Sequence, residues 1–395
     1  MEKIPITIVG GGVVGCAIAF ELSKKGIEDI VLLEKNKRFG EEQSARSAGV
    51  VHSGIYYKPG SLMSKLCVEG VPLLYEFCQS HNVPIKRTGK LVAATNPQES
   101  KTLEKYFERS QCNGTPGVKH ISGKDAKRIE PNIKVDSALY SPTTGIIEAS
   151  DYIRALISST QAVEKPVNLL RGTRVIGIEP KGDYFSVTVQ DNNQTYSFDT
   201  EVLINSAGLY SLNIAKMVNP HICQITGSDK LLNTEFLKGD FYEFNQNKRP
   251  ELRVSTNIYP TPKKVITESG HEIELWGAHL TPTFELDNAY NSIDGKMIRV
   301  GPRFKPTNDP LDFNSNCFSA EEMFDAVHEY FPGLKVSDLK PAYSGILGIL
   351  SNHPDFYVKR DQNHPNCIQL LGMESPALTS SLAIAKYVAN LVENK

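Results

Sequence analysis

The sequence predicts an α/β protein that combines a Rossmann-like, parallel-sheet domain with a second domain built on an antiparallel sheet. Three observations lead to this prediction. A strand near the start runs into a glycine-rich turn and a helix. Segments of the same character return in the middle and at the end of the chain. Strands rich in Pro and Asn fill the region from about 220 to about 330.

The first element is a buried strand followed by a tight turn. Residues 6–9 are apolar and mostly β-branched, which is typical of a parallel strand covered on both faces. Gly10, Gly12 and Gly15 then fit the spacing G-x-G-x-x-G. These glycines allow a tight turn, close approach of a pyrophosphate to the backbone, and close helix–strand packing. The helix predicted over 13–25 would point its N-terminal N–H groups at phosphates.

A second strand, "DIVLLEK", ends in an acid. Glu34 lies about 20 residues beyond the glycines, where such folds place the carboxylate that binds the adenosine ribose. A carboxylate there disfavours a 2′-phosphate and therefore NADP. The turn by itself does not distinguish NAD from FAD.

The next segments alternate helices and strands. The sequence predicts helices over 61–80, with a possible bend at Pro72, and over 99–111, a strand over 89–95, and a helix capped by Ser150 or Asp151. Four short strands follow, "RVIGIEP", "YFSVTVQ", "TYSFD" and "EVLINSAG", of which the first three would form a meander. The fourth ends at Ala207 and Gly208, where backbone can approach a ligand closely.

The last third of the chain changes character twice. "LKGDFYEF", "IELWGAHLTPT" and "KMIRVGPRF" predict strands of an antiparallel sheet. "CIQLLGMES" then predicts a strand that enters a turn, and "PALTSSLAIAKYVANLVEN" predicts an amphipathic helix. This terminal strand–turn–helix resembles the element that directs a helix N-terminus at the N1–C2=O edge of a flavin.

Composition excludes several classes of function. A net charge of −2 without a basic block gives no reason to expect nucleic acid or an anionic membrane surface. No apolar run is long enough to cross a bilayer, and the first strand leaves no room for a leader peptide. Seven scattered cysteines without C-x-x-C spacing predict reduced thiols, no metal site and a cytoplasmic protein.

The order of the segments favours FAD over NAD. A nicotinamide-binding domain usually occupies one continuous stretch of about 150 residues. Here the nucleotide-binding segments are interleaved with the others. We assign 1–85, 150–215 and 335–395 to a discontinuous FAD-binding domain, and 86–149 and 216–334 to a substrate-binding domain.

Several stretches resemble one known family, the L-2-hydroxyglutarate dehydrogenases and oxidases of the D-amino-acid-oxidase-like FAD superfamily. The resemblance is carried by "SARSAGVVHSGIYYKPGSLMSKLCVEG", "SPTTGIIEASDY", "LINSAGLYS", "GAHLT" and "LLGMESPALTSSLAIAKYV". It implies a Rossmann-like FAD-binding domain of the glutathione-reductase type with an antiparallel-sheet substrate domain. It also implies oxidation of the C2 hydroxyl of a 2-hydroxy acid by hydride transfer to flavin N5, with oxygen or a quinone-type compound as electron acceptor.

The turn and the resemblance together give a set of residues expected to bind FAD. They are Gly10, Gly12, Val13, Val14, Gly15, Glu34, Lys35, Ser44, Arg46, Ser47, Gly49, Val50, His52, Val175, Ala207, Gly208, Gly345, Leu347, Gly372, Glu374, Ser375, Pro376, Ala377, Leu378 and Thr379.

Oxidation of a hydroxyl also needs a base for its proton and cations for carboxylates. His52 and His279 are the two candidates for the base, and the sequence does not rank them. Tyr57 is a candidate phenol donor, with Tyr56 and Tyr259 as further tyrosines of the same kind. Lys65 and Lys238 stand where the family usually has Arg or Lys.

One position departs from the family pattern. Leu347, in "PAYSGILGIL", occupies the place where the family usually carries an arginine that binds the substrate carboxylate. The loss of such a bidentate pair would remove about 1.5–3 kcal/mol of binding. We hypothesise that Arg303 replaces the missing cation. Ala377 is a milder departure, since glycine is usual there.

The departure at Leu347 keeps two alternatives open. One is an amine or amino-acid oxidase of the same superfamily, because an apolar residue suits an amine-binding cage. The other is a flavin-binding protein with little turnover.

Overall fold

The structure is a computed structural model that describes residues 3–192, 194–224, 231–266, 272–275, 277–288, 291–314 and 317–394. The α-helices are α1 (Val13–Lys24), α2 (Leu62–Ser80), α3 (Pro97–Cys112), α4 (Gly123–Ile129), α5 (Ala149–Gln161), α6 (Ser211–Val218), α7 (Ala320–His328) and α8 (Ala377–Glu393).

The strands are β1 (Ile4–Val9), β2 (Ile30–Glu34), β3 (Val50–Val51), β4 (Ile85–Lys86), β5 (Lys90–Ala94), β6 (Lys119–Ser122), β7 (Ser137–Ser141), β8 (Gly145–Ile147), β9 (Asn168–Arg171), β10 (Thr173–Pro180), β11 (Phe185–Asp191), β12 (Gln194–Asn205), β13 (Thr234–Asn245), β14 (Asn257–Pro260), β15 (Lys263–Ile266), β16 (Glu272–Leu275), β17 (His279–Leu286), β18 (Ser292–Thr307), β19 (Lys340–Leu350), β20 (Tyr357–Arg360) and β21 (Cys367–Leu371).

The first sheet contains the glycine-rich turn. The main strand order is β10-β11-β12-β1-β2-β9. Off this path, β21 pairs with β12, and β20 pairs with β21. β1 lies parallel to both β12 and β2, β2 lies parallel to β9, and β21 lies parallel to β12. Parallel strands must be covered on both faces, and α1, α2, α5 and α8 share one hydrophobic core with β1, β2 and β21. The predicted α/β fold with a parallel sheet is therefore confirmed.

One predicted strand boundary is wrong. "TYSFD" and "EVLINSAG" form the single strand β12, which pairs antiparallel with β11 along its first half and parallel with β1 along its second. The polar residues between the halves do not form a turn. Thr200 is buried, and its hydroxyl accepts a hydrogen bond from Thr7 at 2.9 Å and donates one to the Ile4 carbonyl at 3.0 Å. The predicted meander of β10, β11 and β12 is present.

The second sheet has the order β19-β13-β18-β17-β14-β5-β7-β6, antiparallel throughout except for the parallel pair β14–β5. The predicted strand 273–283 is divided between β16 and β17, and residue 276 lies outside the described residues. β19 pairs with β13 in this sheet, although we assigned 335–395 to the FAD-binding segments. The domain limits therefore stay a proposal.

Two helices of the FAD-binding part begin or continue differently from expectation. The N-cap of α5 is Glu148 rather than Ser150 or Asp151, which lie inside the helix. α2 runs through Pro72 without interruption. It also packs closely on α8, because a Cβ built on Gly70 would lie 2.4 Å from the Thr379 carbonyl oxygen and 2.9 Å from the Ser380 Cα.

The contact at Gly70 provides a test of this packing. We expect Gly70→Ala to lower the free energy of unfolding by about 1–3 kcal/mol, because the methyl group must push α2 away from the backbone of α8. Alanine is otherwise the better helix former, so the sign of the change reports the contact itself. Denaturant titration measures it. Gly177→Ala in β10 is the matched control, since the nearest atom to its Cβ would be 3.6 Å away. A Gly70→Ala protein as stable as the unchanged one would contradict the contact.

Candidate active site

A cavity of about 1130 Å³ runs from the glycine-rich turn to the face of the second sheet. Its walls come from the turn between β1 and α1, the loop before β3, the end of β12, strands β13, β17 and β19, and the turn before α8. The cavity therefore combines all three segments that were assigned to FAD with strands of the antiparallel sheet.

The outer end of the cavity is formed by backbone that leaves no room for side chains. Gly10 has a φ of +106°, and a Cβ there would lie 2.5 Å from the Ser206 carbonyl oxygen. A Cβ on Gly15 would lie 1.9 Å from the Gly10 carbonyl oxygen. The first and third glycines thus hold α1 against β1 and β12, as the motif predicts. Gly12 is the N-cap of α1 and lines the cavity.

Glu34 lies at the end of β2 and lines the same end of the cavity. Its carboxylate accepts hydrogen bonds from the N–H groups of Gly11, at 2.9 Å, and Asn36, at 2.7 Å. Burial raises its pKa, and these two hydrogen bonds oppose the shift. The carboxylate is therefore held at the end of β2, beside the glycine turn.

Most of the predicted FAD-binding residues line the cavity. These are Gly10, Gly12, Val13, Val14, Glu34, Lys35, Ser44, Arg46, Ser47, Val50, His52, Val175, Ala207, Gly208, Gly345, Leu347, Glu374, Ser375, Pro376, Ala377 and Leu378. Four others lie behind the wall. Gly15, Gly49 and Gly372 pack against neighbouring backbone or side chains, and the Thr379 hydroxyl accepts a hydrogen bond from the His52 N–H at 2.9 Å.

Two helices begin at the cavity without a side-chain cap of their own. The N-caps of α1 and α8 are Gly12 and Pro376, and neither residue provides a side-chain acceptor for the N–H groups of the first turn. The Val13 N–H of α1 instead donates to the Ser44 hydroxyl at 3.0 Å. The positive ends of both helix dipoles thus meet the cavity, one at each end, and favour negative charge there.

The inner end holds His52, Ser375 and Tyr57 together. The His52 Nε2 lies 3.0 Å from the Ser375 hydroxyl, which also hydrogen-bonds the Tyr57 phenol. Burial, with the charge of Lys90 and the nearby His279, holds the pKa of His52 well below its usual range. His52 is therefore neutral at neutral pH. Glu374 precedes Ser375, and burial raises its pKa to about 8. This carboxyl is therefore largely protonated at neutral pH.

His279 faces the same end from β17. Its ring stacks on Tyr259, with centroids 3.9 Å apart. Burial and the charge of Lys90 lower its pKa to about 3, and a backbone hydrogen bond to Gly277 opposes the shift weakly. Both predicted base candidates are therefore neutral imidazoles on one cavity.

Sequence reasoning missed a buried cation beside these rings. Lys90 begins β5, its side chain is fully buried, and its ammonium has no hydrogen-bond partner among the described residues. It lies 4.4 Å from the centroid of the Tyr56 ring and 4.5 Å from that of Tyr259, within cation–π distance of both. Burial lowers its pKa to about 7. A charge inside the otherwise apolar strand "GKLVAA" was the available signal.

Arg109 and Glu274 were missed as well. Both line the cavity, and they form an ion pair at 3.2 Å. Arg109 is on the helix that the sequence predicts as a charged surface element, so only the tertiary contact reveals it. Glu274 lies within the predicted strand 273–283, and only the folded structure shows that its side chain meets Arg109.

Two predicted substrate residues lie away from the cavity. The Lys238 side chain is buried and pairs with Asp312 at 2.7 Å. Arg303 donates to the Glu322 carbonyl, stacks 4.8 Å from the Phe318 ring, and lines a smaller neighbouring cavity. Side chains alternate between the faces of a strand, and Pro302 and Phe304 on either side of Arg303 take the cavity face. The structure therefore does not bring Arg303 to the main cavity, and the hypothesis that it replaces the arginine missing at Leu347 stays a prediction. Lys65 is exposed on α2.

The geometry fits a flavin dinucleotide. The glycine turn and Glu34 suit the adenosine and pyrophosphate, and the second uncapped helix, α8, suits an electron-rich ring at the other end. The side chains around that inner end include the rings of Tyr56, Tyr57 and Tyr259 and the imidazoles of His52 and His279.

Comparisons with known proteins agree with this geometry. The family model described as FAD dependent oxidoreductase matches residues 5–391. The chain is 30% identical to the mitochondrial L-2-hydroxyglutarate dehydrogenase of Caenorhabditis elegans, covering 100% of this chain and 94% of that protein. It is also 30% identical to a glycerol 3-phosphate dehydrogenase of Caloramator mitchellensis, covering 98% and 74%. Reduced L-alpha-glycerophosphate oxidase of Mycoplasma pneumoniae with FAD bound has the same fold, with a TM-score of 0.82 and 23% identity over 100% and 96% of the chains.

Among the described residues, no helix combines the length and apolar character needed to cross a membrane. The nematode relative is named as mitochondrial. The predicted cytoplasmic location of this chain therefore stays a prediction.

The buried Lys90 predicts an unusual pH dependence of stability. Its pKa is about 7 in the folded protein and 10.5 for a free side chain, so folding favours the neutral amine. Between about pH 6 and pH 9.5 the folded protein loses this proton while the unfolded chain keeps most of it. Between these pH values, the unfolding free energy of the unchanged protein should therefore rise by about 3 kcal/mol more than that of Lys90→Met.

Denaturant titration at the two pH values measures this difference. Lys101→Met, which removes an exposed lysine of α3, is the matched control and should show no such trend. Parallel pH profiles for the unchanged protein and Lys90→Met would contradict a depressed lysine pKa.

Proposed function

The chain belongs to the FAD-dependent oxidoreductase family, and on that premise we propose that it oxidises a small 2-hydroxy acid, of the L-2-hydroxyglutarate kind, to the 2-keto acid. The observation that carries the proposal is that two imidazoles, those of His52 and His279, line the same end of the cavity. Oxidation of an alcohol requires a base for the hydroxyl proton, whereas a neutral amine can be oxidised without one.

The residues of the glycine turn, Glu34 and the start of α8 would hold FAD, which supplies the two-electron acceptor for the hydride from C2. The chain itself must orient the substrate and accept the hydroxyl proton. A neutral imidazole nitrogen of His52 or His279 accepts that proton as the C2–O bond becomes a carbonyl. Among the described residues, Nδ1 of His52 has no hydrogen-bond partner, whereas its Nε2 lies against the Ser375 hydroxyl. His279 has a backbone hydrogen bond to Gly277.

Charge at the inner end supports a substrate that carries a carboxylate. Arg109 lines the cavity and contributes positive charge, whereas the Glu374 carboxyl is largely neutral at neutral pH. A site with little water strengthens such attraction. The relative that is an L-2-hydroxyglutarate dehydrogenase supports the same substrate class.

A second candidate substrate is an alcohol that carries a phosphate. The glycerol 3-phosphate dehydrogenase of Caloramator mitchellensis matches this chain at the same identity as the nematode enzyme. Both substrate types need a base and a cation, and they differ in the anion. Amine oxidation remains the alternative that an apolar residue at Leu347 favours, since Leu347 does line the cavity.

Anaerobic reduction of the bound flavin separates these candidates. We expect L-2-hydroxyglutarate to bleach the flavin absorbance of the purified protein, because a neutral base and positive charge meet at the inner end. Glycerol 3-phosphate and a set of amino acids are the parallel tests. Bleaching by amino acids alone would overturn the proposal, and bleaching by none would indicate a flavin protein with little turnover. Mixing the reduced protein with oxygen or a quinone then identifies the acceptor.

Replacement of the two histidines tests the base. We expect either His52→Gln or His279→Gln to slow flavin reduction about 10²- to 10⁴-fold, which is the usual contribution of a general base. The other variant should change the rate less. Stopped-flow absorbance gives the rate constant, and His120→Gln, on the exposed face of β6, is the matched control. Normal rates in both cavity variants would rule out an imidazole base.

A further inference from the structure

We propose that Arg109 binds the second anionic group of the substrate, the one remote from the oxidised carbon, and that Glu274 is its exchangeable partner when no substrate is bound. This assignment rests on the proposed function, because it names the residue that would select a 2-hydroxy acid with a second carboxylate.

Arg109 belongs to the same end of the cavity as the two histidines. Its guanidinium donates to the Tyr56 carbonyl at 2.9 Å. The rings of Tyr56 and Tyr259 flank the Lys90 ammonium, and Tyr259 stacks on His279. A continuous set of contacts therefore connects Arg109 to the candidate base.

The cluster around Arg109 has excess positive charge. Glu274 accepts from Lys105 at 2.7 Å through Oε1, and from the Tyr106 hydroxyl at 2.9 Å and Arg109 at 3.2 Å through Oε2. Although partial burial raises the pKa of Glu274, these hydrogen bonds and charges lower it overall, so the group is ionised. Two cations thus share one carboxylate, and the cluster can accept one more anion.

Arg109 is the cavity-lining cation that the contacts above connect to His279. Among the described cavity-lining cations, Lys35 pairs with Glu42 at 2.6 Å, and Arg46 donates to the Ser344 carbonyl and stacks on Phe313. Arg174 adjoins Val175 on the first sheet, and Lys58 is exposed. Leu347, Lys238 and Arg303 do not supply a cavity cation.

Exchange of partners needs little rearrangement. A substrate carboxylate that displaces the Glu274 oxygen from Arg109 leaves Glu274 with both Lys105 and Tyr106. The Tyr56 carbonyl continues to orient the guanidinium, whose planar fork suits two parallel hydrogen bonds to a carboxylate. No bond is made or broken in this step, and the net charge of the filled cluster falls to zero.

The test compares a diacid with a monoacid on the flavin-loaded protein. We expect Arg109→Met to raise the apparent Kd of L-2-hydroxyglutarate about 10- to 100-fold, with the rate constant of flavin reduction within about threefold. The Kd of L-2-hydroxybutyrate, which lacks the second carboxylate, should change less than threefold. Arg109→Lys should recover part of the diacid affinity. Lys101→Met, on the same helix, is the matched control for a lost positive charge.

Glu274→Gln supplies a test that does not depend on Arg109 variants folding. It removes the competing charge, so we expect it to tighten diacid binding at least threefold. The assignment would be overturned if Arg109→Met weakened the binding of the diacid and the monoacid equally, or changed neither. Weaker binding of the diacid by Glu274→Gln would also overturn it.

Glutarate, a diacid without a hydroxyl, separates this assignment from the proposed function. Its binding can be followed by perturbation of the flavin spectrum without turnover. Arg109-dependent glutarate binding without reduction by any 2-hydroxy acid would overturn the proposed function and leave the anion site standing. If 2-hydroxy acids reduce the flavin but glutarate binds equally well to the unchanged protein and to Arg109→Met, only the anion site is overturned.

Discussion

The architecture depends on one close backbone contact, between the turn after β1 and the end of β12. Gly10 and Gly15 have no space for a Cβ, so α1 lies directly against the strands and its first N–H groups reach the cavity. The same proximity places Ala207 and Gly208 beside the turn in the cavity wall. A larger residue at either glycine would separate helix from sheet, and the outer end of the cavity would lose its shape before any side chain were altered.

Burial shapes the chemistry at the inner end more than direct pairing does. Removal from water is the largest cause of the lowered pKa values of His52 and His279 and of the raised pKa of Glu374. Lys90 adds to the effect on both histidines. At neutral pH these three groups are therefore two unprotonated imidazoles and one protonated carboxyl, and no ion pair forms among them.

The sequence predicts the local features well and the long-range ones poorly. The β1–α1–β2 unit and Glu34 were predicted because one glycine spacing and one strand determine them. The continuous β12 was missed because a threonine between polar residues is typical of a turn. In the folded protein, hydrogen bonds with the Thr7 hydroxyl and the Ile4 carbonyl keep Thr200 inside the strand. The position of Arg303 outside the main cavity could not be predicted because the face of a residue depends on strand register. Arg109 was overlooked because its partner Glu274 lies far away in sequence. The distinction between the two histidines needs kinetics.

The position of α8 has a consequence for synthesis of the protein. This helix starts at the cavity, packs on α1 and α2 near the other end of the chain, and carries the Thr379 hydroxyl that fixes the His52 backbone. A nascent polypeptide still attached to the ribosome without α8 has an open wall beside the glycine turn. The wall that Glu374, Ser375 and Ala377 form is therefore in place only after this last helix of the described chain has been translated.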